Sequence, residues 1–455
     1  MAKKSVVAEK SPVITDWHRQ PRAQELIEEM IESIVKAAPN IASWRSELLD
    51  KCSCDLIDFL DHLALSALPT QKLKSAGFIY DTQSGSWHHP GAQLPRLRKT
   101  SCKQERGLYL RVDQIETCFA AHRLSPCDIS GIEGSWGSGY RRAKLIEGPY
   151  SLWIVERNGS SGFEAIEEPA DRVAEVQLAT FAWRRRDRCH SKAKEAMKQA
   201  SALAFLIAQE LGADRAASII LGVEREYWQL KCQAGQIQKM RQDQLGLGWG
   251  NHDHHTFRSS RQFFKETIAL FETLGFHCRE RFYAGAQAGW GAQVMENPRS
   301  GHTLFIDVDL SEEELAGDFA HKGLKPRKKL GTIGLWCALH GDSILRAGMH
   351  HLEGQFCFHD LEKDLSSWGV GFMKPFSEMS YLHQAFSSPQ LWPVRANIVE
   401  KLYKASYISA EQKERFLKEG AIGSHLENLE RAEGYKGFNQ KNVSSIIKET
   451  DPRKH

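Results

Sequence analysis

An internal repeat constrains this 455-residue chain more than any other feature of its sequence. Asp61-His62-Leu63-Ala64-Leu65-Ser66 lines up with Asp253-His254-His255-Thr256-Phe257-Arg258. Ala76-Gly77-Phe78 then matches Leu274-Gly275-Phe276, and Gly91-Ala92-Gln93-Leu94 matches Gly291-Ala292-Gln293-Val294. The last matched blocks are Leu108-Tyr109-Leu110-Arg111-Val112-Asp113 and Leu304-Phe305-Ile306-Asp307-Val308-Asp309. One such match is easily had by chance, but four in the same order point to a duplicated unit.

Each copy reads as a strand, a helix and three strands. In the second copy Phe263, Phe264, Ile268, Phe271 and Leu274 recur at helical spacing, and the strands that follow are separated by Gly, Pro and Ser. One βαβββ unit cannot cover its own sheet, so two are expected to pair and leave a cup between them. The fold class predicted is therefore α+β: two βαβββ modules forming a metal-binding cup, with a helical insert and a helical C-terminal tail. The expected order is an N-terminal helical segment (1–50), a first module with its extension (51–150), a mainly helical insert (151–249), a second module (250–330) and C-terminal strands and helices that complete the globule (331–455). Within the insert, Ala202, Phe205, Leu206 and Leu211 are the stripe expected to be buried. The tail from 395 onward reads as charged helix, opened by Ser409 and Gln412 at capping-box spacing. This architecture resembles the vicinal oxygen chelate superfamily, in which glyoxalases and ring-cleaving dioxygenases hold a metal in the cup.

Repeat-matched positions on first and last strands converge in such a cup. The candidate metal ligands are therefore His62 and His254 with one carboxylate from Asp113, Asp307 or Asp309. Two imidazoles and one carboxylate leave coordination positions open and suit Fe(II), with Mn(II) and Zn(II) as alternatives. Arg111 stands where the second copy has Asp307, and a cation there favours three ligands over four. His350-His351-Leu352-Glu353, with His359-Asp360 nearby, has the composition of a metal site but no recognised ligand spacing, and is read as a pocket wall or as support behind the ligands.

The block from Asn251 to Arg258, with His302-Thr303 and Phe305 to Asp309, resembles the 2-oxoadipate dioxygenase/decarboxylase (hydroxyglutarate synthase) family. The resemblance implies an iron held by His62, His254 and Asp307, with Asp in place of the family's Glu; the shorter arm leaves Asp309 or Glu296 as substitutes. The family's substrate-gripping arginine, four residues after the first metal histidine, is Ser66 here, and Arg258 holds the equivalent place in the second copy. Arg258 would then bind the substrate's distal carboxylate, and Gln93 or Gln293 would orient a ligand or oxygen. The activity implied is a nonheme Fe(II) dioxygenase that decarboxylates and hydroxylates a small anionic 2-oxo acid with O2, of the 2-oxoadipate to 2-hydroxyglutarate type. A glyoxalase-type lyase or isomerase, and a binding protein that kept the cup without the chemistry, are the alternatives.

Composition excludes several other classes. Lys+Arg 60 against Asp+Glu 57 gives a charge of +3, too balanced for a nucleic-acid binder. The most apolar window, 202–208, is far shorter than the ~20 residues of a membrane span. The stretch after Met1 is broken by Glu9, Lys10 and Pro12, unlike a signal peptide. Ten cysteines without regular spacing, Cys52-Ser53-Cys54 among them, suggest reduced thiols and a cytoplasmic protein.

Overall fold

The structure, a computed structural model, describes residues 17–124, 131–189, 192–439 and 448–454. Most of the N-terminal stretch read above against a signal peptide lies outside the described residues.

The first half opens with helix Pro21–Ala37, where Pro21 needs no N–H partner and Ile27, Ile31 and Ile34 point inward. It continues as strand β1 (Leu60–Leu65), helix Thr70–Ser75, and strands β2 (Ile79–Asp81), β3 (Ser86–His88) and β4 (Arg96–Lys99). A second run follows: β5 (Gly107–Arg111), helix Ile115–Ala121, β6 (Tyr140–Ile146) and β7 (Ser151–Arg157). These strands make one sheet in the order β2-β3-β4-β1-β5-β7-β6. Within each run the first and last strands pair in parallel, β1 with β4 and β5 with β7, whereas β1 and β5 meet antiparallel at the centre.

The second half repeats this plan. It runs β8 (His252–Arg258), helix Phe264–Thr273, β9 (His277–Tyr283), β10 (Trp290–Asn297) and β11 (His302–Asp309). Then come β12 (His351–Gln355), helix Phe358–Ser367, β13 (Ser377–Met379), β14 (Leu382–Phe386), β15 (Gln390–Trp392), two helices and β16 (Ala421–Arg431). The sheet order is β13-β14-β16-β12-β8-β11-β10-β9, with β15 on β16. Again β8–β11 and β12–β16 are parallel and β8–β12 is antiparallel.

The fold is therefore α+β, built of βαβββ modules of vicinal oxygen chelate type, as expected. What differs is the pairing: the module at 250–330 closes its cup with the C-terminal segment, not with the module near residue 60. The fourth sequence block was also set against the wrong strand. Leu108–Arg111 lies in β5, the counterpart of β12, whereas the counterpart of β11 is the short polar β4.

The insert forms helices Ala170–Arg185, Ala193–Leu211, Ala213–Gln229 and Gln233–Asp243, and Gly212 ends the second at φ +86°, where a side chain would be strained. Its buried face is Met197, Ala200, Ala204, Ile207, Ala208 and Leu211, in one core with the sheets. Phe205 and Leu206 are exposed at 50% and 61%, and Ala202 is exposed too, so the expected stripe was right only at Leu211. The small alanines win the buried side because they allow close helix packing. In the tail, helices Ala396–Lys404 and Ala410–Glu419 form, and the Ser409–Gln412 capping box is present. The chain then returns as the eleven-residue strand β16, against the helical expectation. No helix among the described residues is long and apolar enough to cross a membrane.

Candidate metal centre

One face of the second sheet gathers a buried polar cluster. Side chains alternate along a strand, so His254, Thr256 and Arg258 of β8 share a face. His351 and Glu353 of β12 lie directly opposite Thr256 and His254, and His425 and Glu427 of β16 pair in register with His351 and Glu353. His254, His351 and Glu427 each present one ligand atom, all within 4.8 Å of one another, and none of the three is more than 6% exposed.

The remaining atoms of these side chains are held in place. His254 Nδ1 contacts the Glu353 carboxylate, leaving Nε2 4.0 Å from Glu427 Oε2. His351 Nδ1 meets His425 Nε2 at 3.1 Å, and Gln384 Nε2 donates to Glu427 Oε1 at 3.1 Å and to Glu353 Oε1 at 3.2 Å. Such outer partners fix the tautomer and direction of a ligand. His351 Nε2 lies 2.9 Å from Glu427 Oε2 yet makes no hydrogen bond among the described residues. In the tautomer whose Nδ1 donates to His425, that contact sets a lone pair against a carboxylate oxygen, an arrangement that a bridging cation relieves. Burial pushes the pKa of His254, His351 and His425 down, so the imidazoles are neutral and ready to ligate. The residues present fit a divalent ion held by two imidazoles and one carboxylate, the donor set typical of nonheme Fe(II) oxygenases.

The cavity beside these atoms, about 40 Å³, is walled by Phe282, Trp290, Phe305, Phe376, Phe386 and Phe438. Asp307 lines it as well, paired in register with Arg258. Burial pushes the Asp307 carboxyl up to about 7, against the pull of Arg258, whose Nε is 3.7 Å away. Arg258 is 2% exposed, and its Nε and Nη1 have no hydrogen-bond partner among the described residues.

Of the sequence-derived ligand set, only His254 belongs to the cluster. His62 lies in the other sheet: Nδ1 is 2.7 Å from Asp61, and the ring stacks on Tyr109 at 4.0 Å. Trp153 stands four residues before Arg157, as Glu427 stands four before Arg431, and stacks on Tyr109 at 5.4 Å. By the same register Gly107 of β5 takes the place of His351, and a Cβ there would fall 1.7 Å from the Ser151 carbonyl oxygen. The first sheet therefore keeps one histidine of the set and fills the rest of its cup with aromatic rings.

The other candidates have structural partners. Asp309 accepts from the N–H groups of Gly331, Ile333 and Gly334, at the start of helix Thr332–His340. Asp309→Ala should therefore cost about 1–2 kcal/mol in urea unfolding while leaving metal content unchanged. Asp113 pairs with Arg225 at 2.9 Å, and Glu296 with Lys436 at 3.2 Å. Gln293 is fully buried and donates to the Glu280 and Val294 carbonyls, binding strand to strand. Gln93 and Ser66 are exposed, on the first half. None of these residues joins a three-ligand group among the described residues.

The sequence did carry a signal for the missed pair. His351-Leu352-Glu353 and His425-Leu426-Glu427 are the same tripeptide, and they lie side by side on parallel strands.

Fold and site together define a class: a protein of vicinal oxygen chelate-like fold, with two histidines and a glutamate converging in the cup of its C-terminal half. No protein-family model and no curated protein matches the chain. Similar solved structures include methylmalonyl-CoA epimerase from Mycobacterium tuberculosis, at 14% identity over 40% of this chain and 87% of that one, TM-score 0.23. A 4-hydroxymandelate synthase variant from Streptomyces coelicolor is 10% identical over 87% of this chain and 98% of its own, TM-score 0.28. A xylose isomerase-like TIM barrel/4-hydroxyphenylpyruvate dioxygenase fusion protein is 11% identical over 43% and 29%, TM-score 0.21. Likeness at this level leaves the chemistry to be argued from the chain's own residues.

Proposed function

We propose that this chain is a nonheme Fe(II) dioxygenase acting on a small 2-oxo acid, with iron held by His254, His351 and Glu427. The observation that carries the reading is the convergence of two outward-braced imidazole nitrogens and one carboxylate oxygen in a buried cup. Iron bound there would supply O2 activation and a chelation point for the 2-oxo carboxylate. The chain's own residues do the rest. Glu353 and His425 orient the two imidazoles, and Gln384 orients Glu427. The aromatic walls exclude water from the reacting atoms. Arg258, four residues beyond His254 on the same face, offers two unbonded N–H groups to the far end of the substrate. For a dicarboxylic substrate the balance is 2-oxoadipate plus O2 to 2-hydroxyglutarate plus CO2.

The aromatic lining favours a second substrate within the same chemistry, a 2-oxo acid with an apolar or aromatic body. Either one enters only if a wall moves, and Phe438 is the wall residue outside any strand or helix that also meets His254, at 5.3 Å. The test is O2 uptake and CO2 release by the iron-loaded protein across linear, dicarboxylic and aromatic 2-oxo acids. Arg258→Met should raise KM for the preferred acid about 10- to 100-fold, the loss of a charged hydrogen bond worth about 1.5–3 kcal/mol. Arg258→Lys should recover only part of it, because an ammonium lacks the planar fork. Absence of substrate-dependent O2 uptake across the panel would refute the dioxygenase reading.

A further inference from the structure

The two halves face each other across a cavity of about 350 Å³ that is separate from the metal cup. Asp253 lines it, one residue from His254 along β8. Two ion pairs, one from each half, frame it. Arg157 holds Asp61 through both of its carboxylate oxygens, at 2.9 and 2.7 Å. Arg431 holds Asp253 in the same bidentate way, at 3.1 Å for each bond. Glu296 at the cavity wall is satisfied by Lys436 at 3.2 Å.

Cations remain after this pairing. Arg96 approaches Asp61, already doubly bonded by Arg157, at 3.8 Å and donates to the Ser161 carbonyl at 2.5 Å. Arg111, at the end of β5, makes no hydrogen bond or ion pair among the described residues, although it lines the cavity. Its guanidinium reaches the other half: a Cβ at Gly301, in the turn between β10 and β11, would lie 2.7 Å from Nη2. Burial, with Arg157 and Arg111 nearby, holds the Arg96 guanidinium down to about 10, which fits a surplus of positive charge here.

The same wall carries unpartnered imidazole nitrogens. His302 is 6% exposed and its Nδ1 has no partner among the described residues. His252 stacks on it at 5.2 Å, donates from Nδ1 to the Trp249 carbonyl at 2.8 Å, and leaves a buried Nε2 lone pair unmet. A guanidinium with no hydrogen bond or ion pair, and on a neighbouring lining residue a buried imidazole nitrogen with no donor among the described residues, call for complementary groups on one ligand.

We infer that the cleft between the halves is a second binding site, for a small oxyanion that also offers an O–H: a hydrogen phosphate or a hydroxycarboxylate. The anionic oxygens pair with Arg111 and Arg96, and the hydroxyl donates to His252 Nε2. This site does not depend on the metal reading. The test is titration calorimetry on the metal-stripped full chain at low salt, with inorganic phosphate, malate and, as the analogue lacking the hydroxyl, succinate. Saturable one-to-one binding of phosphate or of malate is expected, and which of the two binds identifies the source of the oxyanion. Arg111→Met should weaken it at least tenfold without lowering the melting temperature, since Arg111 makes no hydrogen bond or ion pair among the described residues. His351→Ala should bind as the wild type does. Three results would each overturn the proposal: no saturable binding of phosphate or malate, unchanged binding by Arg111→Met, or loss of binding in His351→Ala, which would place the anion in the metal cup. Succinate binding as tightly as malate would remove the hydroxyl from the argument and with it the role of His252.

Discussion

His351→Ala should abolish bound metal in a chain that still folds, and His62→Ala should leave metal content unchanged. The two histidines differ in what surrounds them, not in burial, for neither is more than 6% exposed. His351 aims Nε2 at a glutamate 2.9 Å away that accepts no hydrogen bond from it, and its other nitrogen is braced by His425. Removing one of the three proposed ligands from an open site leaves two, which seldom hold a divalent ion through purification. His62 instead lies between Asp61 and the rings of Tyr109 and Phe163, and it joins no three-ligand group among the described residues. Elemental analysis of the purified variants, with circular dichroism to confirm folding, separates the two cases. Glu427→Ala should behave as His351→Ala does. Glu353→Gln should keep metal but bind it about 10- to 100-fold more weakly, because it orients His254 without ligating. A His351→Ala protein that keeps a full equivalent of metal would remove this centre from consideration.

The repeat was legible at its Asp-His pairs because the same constraint acts on both copies. Asp61 and Asp253 each anchor an arginine from the last strand of the neighbouring module, Arg157 and Arg431, so the dipeptide is fixed by structure whether or not the histidine is a ligand. That is also why it misled: a shared scaffold feature was read as a shared metal site. The partner module was hidden for two physical reasons. Between β14 and β16 the chain makes β15 and two helices, which breaks the spacing that a repeat search relies on. And β16 is buried on both faces along most of its length, so its sequence shows none of the apolar–polar alternation of a half-exposed strand, while His425, Glu427 and Asn428 make it look like a surface helix. Arg258 was found correctly as a same-face neighbour of His254, because that inference needs only the period of a strand.

Arg157→Met should destabilise the fold by about 3 kcal/mol at neutral pH, more than any surface substitution in the chain. Arg157 and Asp61 are 3% and 4% exposed in their side chains, so removing the cation leaves a carboxylate in a site that water does not reach. Arg157 also donates to the Ser160 and Gly162 carbonyls and lies over the Tyr140 ring at 4.4 Å, contacts that methionine replaces only by volume. His62 and Arg96 stay near Asp61 and keep the loss at the lower end of the range for a broken buried pair. The effect has a pH signature. Burial alone would push the Asp61 carboxyl up, but Arg157, with His62 and Arg96, overcomes it and holds the group well below the ordinary carboxylate value of 3.8. A depressed folded-state pKa contributes stability that is present above that ordinary value and lost as pH falls through the folded one. The gap in urea midpoint between wild type and Arg157→Met should therefore be full at pH 7 and close as the pH is lowered below about 4, where protonation relieves the stranded acid in the variant. Asp61→Asn in the Arg157→Met background should recover part of the loss at pH 7, because it removes the stranded charge. If the midpoint gap is the same at pH 7 and pH 3, the arginine stabilises through packing and its carbonyl bonds alone, and the ion pair contributes nothing.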